Sequence, residues 1–237
     1  GLYSEHAEEF SKTFQDVGAR GAFIMQEDLE EFEANLANFL NCKYVIGVAD
    51  GTAALVFALK ASGIKDGDEV LISSHTFVAT AAAVKHVGAV PVICDCLADS
   101  TMCAESASRM ITNKTKAIMP TQLNGRTSDM EKLCQLATAN GLVIVEDSCQ
   151  ALGAKFNGIN AGLFGKVGSY SFYPSKTLGC FGDGGAVATD DDDAYRLILK
   201  LRDHGRGTDG KVTEWGQNGR LDNLQAAILN VKLKYYP

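Results

Sequence analysis

The segment Tyr44-Val45-Ile46-Gly47-Val48-Ala49-Asp50-Gly51-Thr52-Ala53-Ala54-Leu55-Val56-Phe57-Ala58-Leu59-Lys60-Ala61 decides the architecture. Its first five residues form a short run that is apolar on both faces, the pattern of a strand covered from two sides. Asp50-Gly51 interrupts the run, and the alanine- and leucine-rich stretch Ala53–Ala61 then reads as a helix. A buried strand leading straight into a helix is the unit of a parallel sheet. Working outward, the same alternation continues. Further apolar strands are expected at Val70–Ile72, Val90–Cys94, Ala117–Pro120 and Leu142–Val145, with helices at Ala79–Val87, Ala104–Ile111 and Met130–Asn140 between them. Strand patterns return at Tyr170–Phe172 and Gly185–Thr189, followed by helices from Asp191 to His204 and from about Asp222 to Lys234. Upstream, Leu29, Phe32, Leu36, Phe39 and Leu40 recur at helical spacing, so Gln26–Leu40 is expected to be an amphipathic helix. Residues 1–25 are expected to be an irregular segment. The fold class that follows is α/β, a three-layer sandwich with a mainly parallel mixed sheet.

Composition narrows the function. With 237 residues, 46% of them hydrophobic, the chain can bury one large core. Its longest apolar stretches, such as Phe77–Val84, fall well short of the roughly 20 residues of a membrane-spanning helix, so no membrane partner is expected. Glu5, Glu8 and Glu9 near the start do not resemble a secretory signal, and a cytoplasmic protein is expected. The seven cysteines are odd in number and contain no Cys-x-x-Cys pair, which points to reduced thiols. A net charge of -7 argues against a nucleic-acid partner. His75, His86 and His204 lack metal-ligand spacing, and no metal is expected.

In open α/β sheets ligands bind beyond the carboxyl ends of the strands, so the loops that follow them are where chemistry belongs. Neither a Walker-type nor a Rossmann-type glycine pattern is present. Asp50-Gly51-Thr52-Ala53 follows a strand and opens a helix, where free N–H groups and a hydroxyl can hold a phosphate, or merely begin a capped helix. Val143-Ile144-Val145-Glu146-Asp147-Ser148 ends an apolar strand on an acidic pair, placing a carboxylate either against a cationic ligand atom or at the cap of the next turn. Gly168-Ser169-Tyr170-Ser171-Phe172-Tyr173-Pro174-Ser175-Lys176 carries a lysine just past another strand, amid glycine, serine and aromatic residues and without charged neighbours. Such a lysine suits Schiff-base chemistry.

Taken in order, Gly-Thr-Ala-Ala-Leu, Ser-His-Thr-Phe-Val-Ala-Thr, Glu-Asp-Ser-Cys-Gln-Ala, Ser-Phe-Tyr-Pro-Ser-Lys and Gly-Asp-Gly-Gly resemble the DegT/DnrJ/StrS family, from about Met25 to Leu233. These are fold-type I enzymes dependent on pyridoxal 5'-phosphate, mostly nucleotide-sugar aminotransferases. The resemblance implies that residues 26–237 form the cofactor-binding large domain. It makes Lys176 the Schiff-base lysine and proton shuttle, and Asp147 the partner of the pyridine nitrogen. Phe77 takes the position that stacks on the ring, and Gln150 one near the phenolic oxygen. Gly51, Thr52, Ala53 and Ser171 fit the phosphate cup. Asn218 matches an asparagine that reaches the neighbouring subunit's cofactor, which implies a homodimer; a loop satisfying its own backbone is the other reading of that residue.

The implied reaction moves an amino group from an amino-acid donor, by analogy glutamate, to a keto-sugar on a nucleoside diphosphate. Two alternatives stand beside it: a cofactor-binding relative without turnover, and a sugar dehydratase, although dehydratases of the family replace the lysine with histidine and this chain keeps Lys176. Two departures from the family pattern are notable. Asp50 stands where a small serine is more usual, bringing a carboxylate close to a phosphate unless it turns away. The resemblance implies a smaller C-terminal domain after the last helix, and this sequence is expected to lack it, either as a fragment or because the rest is not represented in it.

Overall fold

The computed structural model describes residues 1–236. Two helices open the chain, α1 (Leu2–Glu5) and α2 (Ala7–Arg20), followed by α3 (Glu27–Leu40). Strands and helices then take turns: β1 (Tyr44–Val48), α4 (Gly51–Ala61), β2 (Glu69–Ser73), α5 (Val78–His86), β3 (Val90–Cys94), α6 (Ala104–Arg109), β4 (Thr115–Met119), α7 (Met130–Asn140) and β5 (Val143–Asp147). A short hairpin of β6 (Lys155–Phe156) and β7 (Ile159–Asn160) precedes β8 (Val167–Ser171), β9 (Gly185–Thr189), α8 (Asp192–Leu201) and α9 (Asn223–Leu233).

The elements read from periodicity are therefore present, with ends shifted by at most three residues. The irregular segment expected over 1–25 is corrected. α2 is a regular helix that buries only Phe10 and Val17, seven residues apart, and Phe10 packs with Ile228 and Val231 of α9. So narrow an apolar stripe gives little periodic signal, and its partner lies at the far end of the sequence.

Seven strands form one sheet in the order β1-β9-β8-β5-β4-β2-β3. β3, β2, β4, β5 and β8 run parallel, whereas β9 is antiparallel to both β8 and β1. The alternation of side chains along each strand divides the core into two layers. On one face Ile46, Val48, Val70, Ile72, Ala117, Met119, Val145 and Val187 pack under α4, α5 and α8. On the other, Leu71, Ile118 and Ile144 lie under α6 and α7, while Val45, Tyr170, Ala186 and Ala188 meet α3 and α9. This is the three-layer α/β sandwich. β5 lies centrally, and its last two residues, Glu146 and Asp147, point to opposite faces.

Candidate active site

Beyond the ends of β1, β5 and β8 lies a cleft of about 620 Å³, lined among others by Gly51, Thr52, Phe77, Asp147, Gln150, Ser171 and Lys176. Each of these was singled out in the sequence, and the fold brings them together from four separate segments. Ala53 and Asn218 are not among the lining residues. Ala53 is buried behind the helix start, and its N–H donates to Asp50 Oδ1 at 2.7 Å. Asn218 is exposed, and its Oδ1 accepts from Arg220 Nε at 3.1 Å.

The start of α4 is built by close approach of main chain. A Cβ at Gly51 would meet the Ser171 side chain at 2.8 Å, and one at Gly185 would meet the Asp50 carbonyl at 2.5 Å. Glycine at both positions lets β8 and β9 close against the helix start. Asp50, extended at φ -167°, is the N-cap, and its carboxylate turns back onto its own helix. The amides of Gly51 and Thr52 find no acceptor among the described residues and remain available at the positive end of an eleven-residue helix. This resolves the departure at Asp50: its carboxylate is spent on the cap, and it takes the Ala53 amide with it.

Across the cleft, Asp147 is 4% exposed. Its Oδ2 accepts from Thr80 Oγ1 at 2.6 Å and its Oδ1 from the Cys149 N–H at 3.2 Å. Burial, and then the charge of Asp147, push the neighbouring Cys149 thiol well above its ordinary range, which keeps it a neutral wall of the site. Lys176 is half-buried, and its amine has no hydrogen-bond or ion-pair partner among the described residues. Phe77 is 66% exposed at the mouth, with its ring uncovered by the chain.

Glu146, one residue before Asp147, faces away from the cleft. Its two oxygens accept from Gln122 Nε2 at 2.8 Å and from the N–H groups of Gly162, Phe164 and Gly165 at 2.8, 2.6 and 3.1 Å. It is wholly buried, and burial pushes its carboxyl up against the pull of those donors. Sequence reading also missed the lining residues Tyr173, Ser175 and Asp183, and the hydroxyl of Thr80. Tyr173 and Ser175 belong to the segment that ends in Lys176 and could have been found by proximity alone.

The family model described as the DegT/DnrJ/EryC1/StrS aminotransferase family matches residues 4–237. The chain belongs to that family. Among relatives, a dTDP-3-amino-3,4,6-trideoxy-alpha-D-glucose transaminase of Streptomyces venezuelae is 39% identical over 234 residues, covering 98% of this chain and 62% of the relative. The crystal structure of S. venezuelae DesV in complex with a ketimine intermediate superposes with a TM-score of 0.96 at 39% identity, covering 99% of this chain and 64% of that one. Bacillus subtilis NtdA with bound cofactor PMP gives a TM-score of 0.91 at 34% identity, covering 98% of this chain and 53% of that one. The chain thus spans less than two thirds of the length of these DegT/DnrJ/EryC1/StrS proteins.

The cofactor implied by the family, pyridoxal phosphate, needs an amine for its aldehyde, an acid for its ring nitrogen, an apolar face for its ring and an anion site for its phosphate. The cleft holds all four: unpartnered Lys176, buried Asp147, uncovered Phe77, and the free amides of Gly51 and Thr52 beside Ser171. The residues present fit the group.

Proposed function

We propose that this chain is the cofactor-binding part of an aminotransferase that moves an amino group from an amino-acid donor, glutamate, to a keto-sugar carried on a nucleoside diphosphate. The observation that carries the reading is a free lysine amine and a buried aspartate lining one cleft beside a helix start with two unpartnered amides. When bound, pyridoxal phosphate supplies an electron sink that makes a C–H bond next to nitrogen acidic. The chain's residues supply the rest. Lys176 would hold the cofactor's aldehyde and would supply, at its Nζ, the amine that holds and delivers a proton. Asp147 keeps the ring nitrogen protonated by facing it with a carboxylate. Gly51 and Thr52 amides with Ser171 hold the phosphate, and Phe77 covers the ring and excludes water from it.

Residues 26–237 form the large domain in this reading, with α2 packed onto its last helix. A homodimer completes the site, Asn218 reaching the neighbouring copy's phosphate. The exposed side chain of Asn218 supports this, as does the charge of the cleft, where Asp50, Asp147 and Asp183 are set against one cation, Lys176, among the described lining residues. A cytoplasmic location is part of the same proposal, supported by seven free cysteines.

The test is the visible absorption spectrum of the protein with pyridoxal phosphate, before and after glutamate, beside Lys176→Ala. A protein-dependent band that changes with glutamate, and is missing in the variant, is the expected outcome. A band that ignores glutamate would remove the amino-transfer step from the proposal, and absence of any band would overturn it.

A further inference from the structure

Beneath Asp147 three hydroxyls form a series whose proton order follows from simple valence. Thr80 Oγ1 lies 2.6 Å from Asp147 Oδ2, Thr76 Oγ1 lies 2.5 Å from Thr80 Oγ1, and Thr121 Oγ1 lies 2.9 Å from Thr76 Oγ1. An ionised carboxylate only accepts, so the single hydroxyl proton of Thr80 goes to Asp147. Thr80 must then accept from Thr76. Having given its proton away, Thr76 must accept from Thr121. All three protons point along one line toward one carboxylate oxygen, and no hydroxyl in the series is left to rotate.

The three residues come from separate pieces of the fold. Thr76 sits in the loop after β2, Thr80 in the first turn of α5, and Thr121 just past β4, where it bridges Asp147 across the sheet. Thr80 and Thr121 are 0% and 2% exposed, in a layer otherwise filled by Ala83, Val84 and Met119. Valine would fill such positions with the same shape and no polar atom to satisfy, so hydroxyls there cost burial unless their bonds are used. Thr76 also immediately precedes Phe77, the N-cap of α5. One series therefore ties the carboxylate and the exposed ring at the cleft mouth into a single unit.

We propose that Thr80, Thr76 and Thr121 are positioning residues that fix the Asp147 carboxylate, and the segment bearing Phe77, against the cofactor ring. The proposal rests on the pyridoxal-phosphate reading above. Among the described residues the Thr80 hydroxyl hydrogen-bonds only Asp147 and Thr76, and Thr80 does not line the cleft, so it acts through the aspartate rather than on the cofactor itself.

The experiment compares the unaltered protein with Thr80→Val, Thr80→Ser and Thr121→Val. Two quantities are measured for each: affinity for pyridoxal phosphate, and the ¹⁵N chemical shift of the ring nitrogen of labelled cofactor bound at neutral pH. Thr80→Val is expected to bind about tenfold more weakly, the scale of one lost hydrogen bond to a charged group. Its ring-nitrogen signal is expected to move toward the unprotonated value. Thr80→Ser restores both, and Thr121→Val shifts both in the same direction by less. Equal affinity and shift in Thr80→Val and the unaltered protein would overturn the proposal, as would equal losses in Thr80→Val and Thr80→Ser. If Thr80→Val does not fold, Thr121→Val carries the same test, and an unmoved nitrogen signal in it would overturn the proposal. Failure of the unaltered protein to bind pyridoxal phosphate is a different result, visible before any variant is compared, and it overturns the cofactor reading itself.

Discussion

The two faces of the sheet at the end of β5 treat adjacent carboxylates in opposite ways. On the side of α7, Glu146 is closed in by four donors, three of them backbone N–H groups of the loop before β8. On the side of α4 and α5, Asp147 accepts two bonds and still borders a cleft, opposite an amine that has no partner among the described residues. One acid is enclosed by donors of its own chain and the other borders a cleft. The difference teaches that burial by itself does not mark a functional acid. What sets Asp147 apart from Glu146 is a cleft that also holds the Lys176 amine and the amides of Gly51 and Thr52, none of them partnered among the described residues, and this is what makes it the candidate.

The comparison is broken most directly through Lys176. Lys176→Ala is expected to abolish covalent retention of pyridoxal phosphate, read by mass after borohydride reduction, while leaving the thermal midpoint of the cofactor-free protein unchanged, because the amine holds nothing together. A large drop in that midpoint would mean that the open side is structural too. Next in size is Glu146→Ala, which strands three backbone donors and the Gln122 amide in the core. It is expected to cost about 4 kcal/mol, summed from about 1 kcal/mol for each buried group left unpaired, and to lower the midpoint by about 10 °C. A fall of only a degree or two would show that the Glu146 network is not what holds the loop before β8.

A smaller effect sharpens the picture at the helix start. Asp50→Ser keeps a good N-cap while removing a carboxylate beside the proposed phosphate site, so affinity for pyridoxal phosphate should rise by less than tenfold with stability little changed. Weaker binding would mean that the Asp50 carboxylate serves the ligand rather than the helix. The smallest expected effect is on the alkaline limb of stability. Burial pushes the Cys149 thiol and the Tyr170 phenol well above their ordinary values of 9.0 and 10.0. Groups whose folded values are raised hold their full contribution below the unfolded value and lose it as pH climbs, since the unfolded chain gives up its protons first. The urea midpoint should therefore be flat from neutral pH and decline above 9.0; a flat profile through that range would contradict the burial of both groups.

Much of this was legible from residues alone. β1 and α4 could be read because five apolar residues, a break at Asp50-Gly51 and an alanine-rich run leave few other interpretations, and the ordered motifs placed Lys176, Asp147, Gln150 and Phe77 at one cleft. Three features were not legible, for identifiable reasons. α2 buries two side chains only, against a helix some two hundred residues later, so neither periodicity nor a local partner announces it. The amide of Ala53 is lost to the proposed phosphate site because the Asp50 cap takes it, a choice between two acceptors that spacing cannot decide. The hydroxyl series depends on Thr121 meeting Thr76 across 45 residues. Strand alternation did contain one unused signal: with a period of two, Glu146 and Asp147 cannot face the same side, so at most one of them can enter the cleft.

At Gly185 the main chain rests directly on the carbonyl of Asp50, with no space between them for a single carbon atom. A floor made of backbone cannot be recut by exchanging side chains, so this part of the cleft is closed to gradual evolutionary adjustment. What side-chain exchange can reshape is the rim instead, where Phe77 and Tyr173 line the cleft and stand exposed.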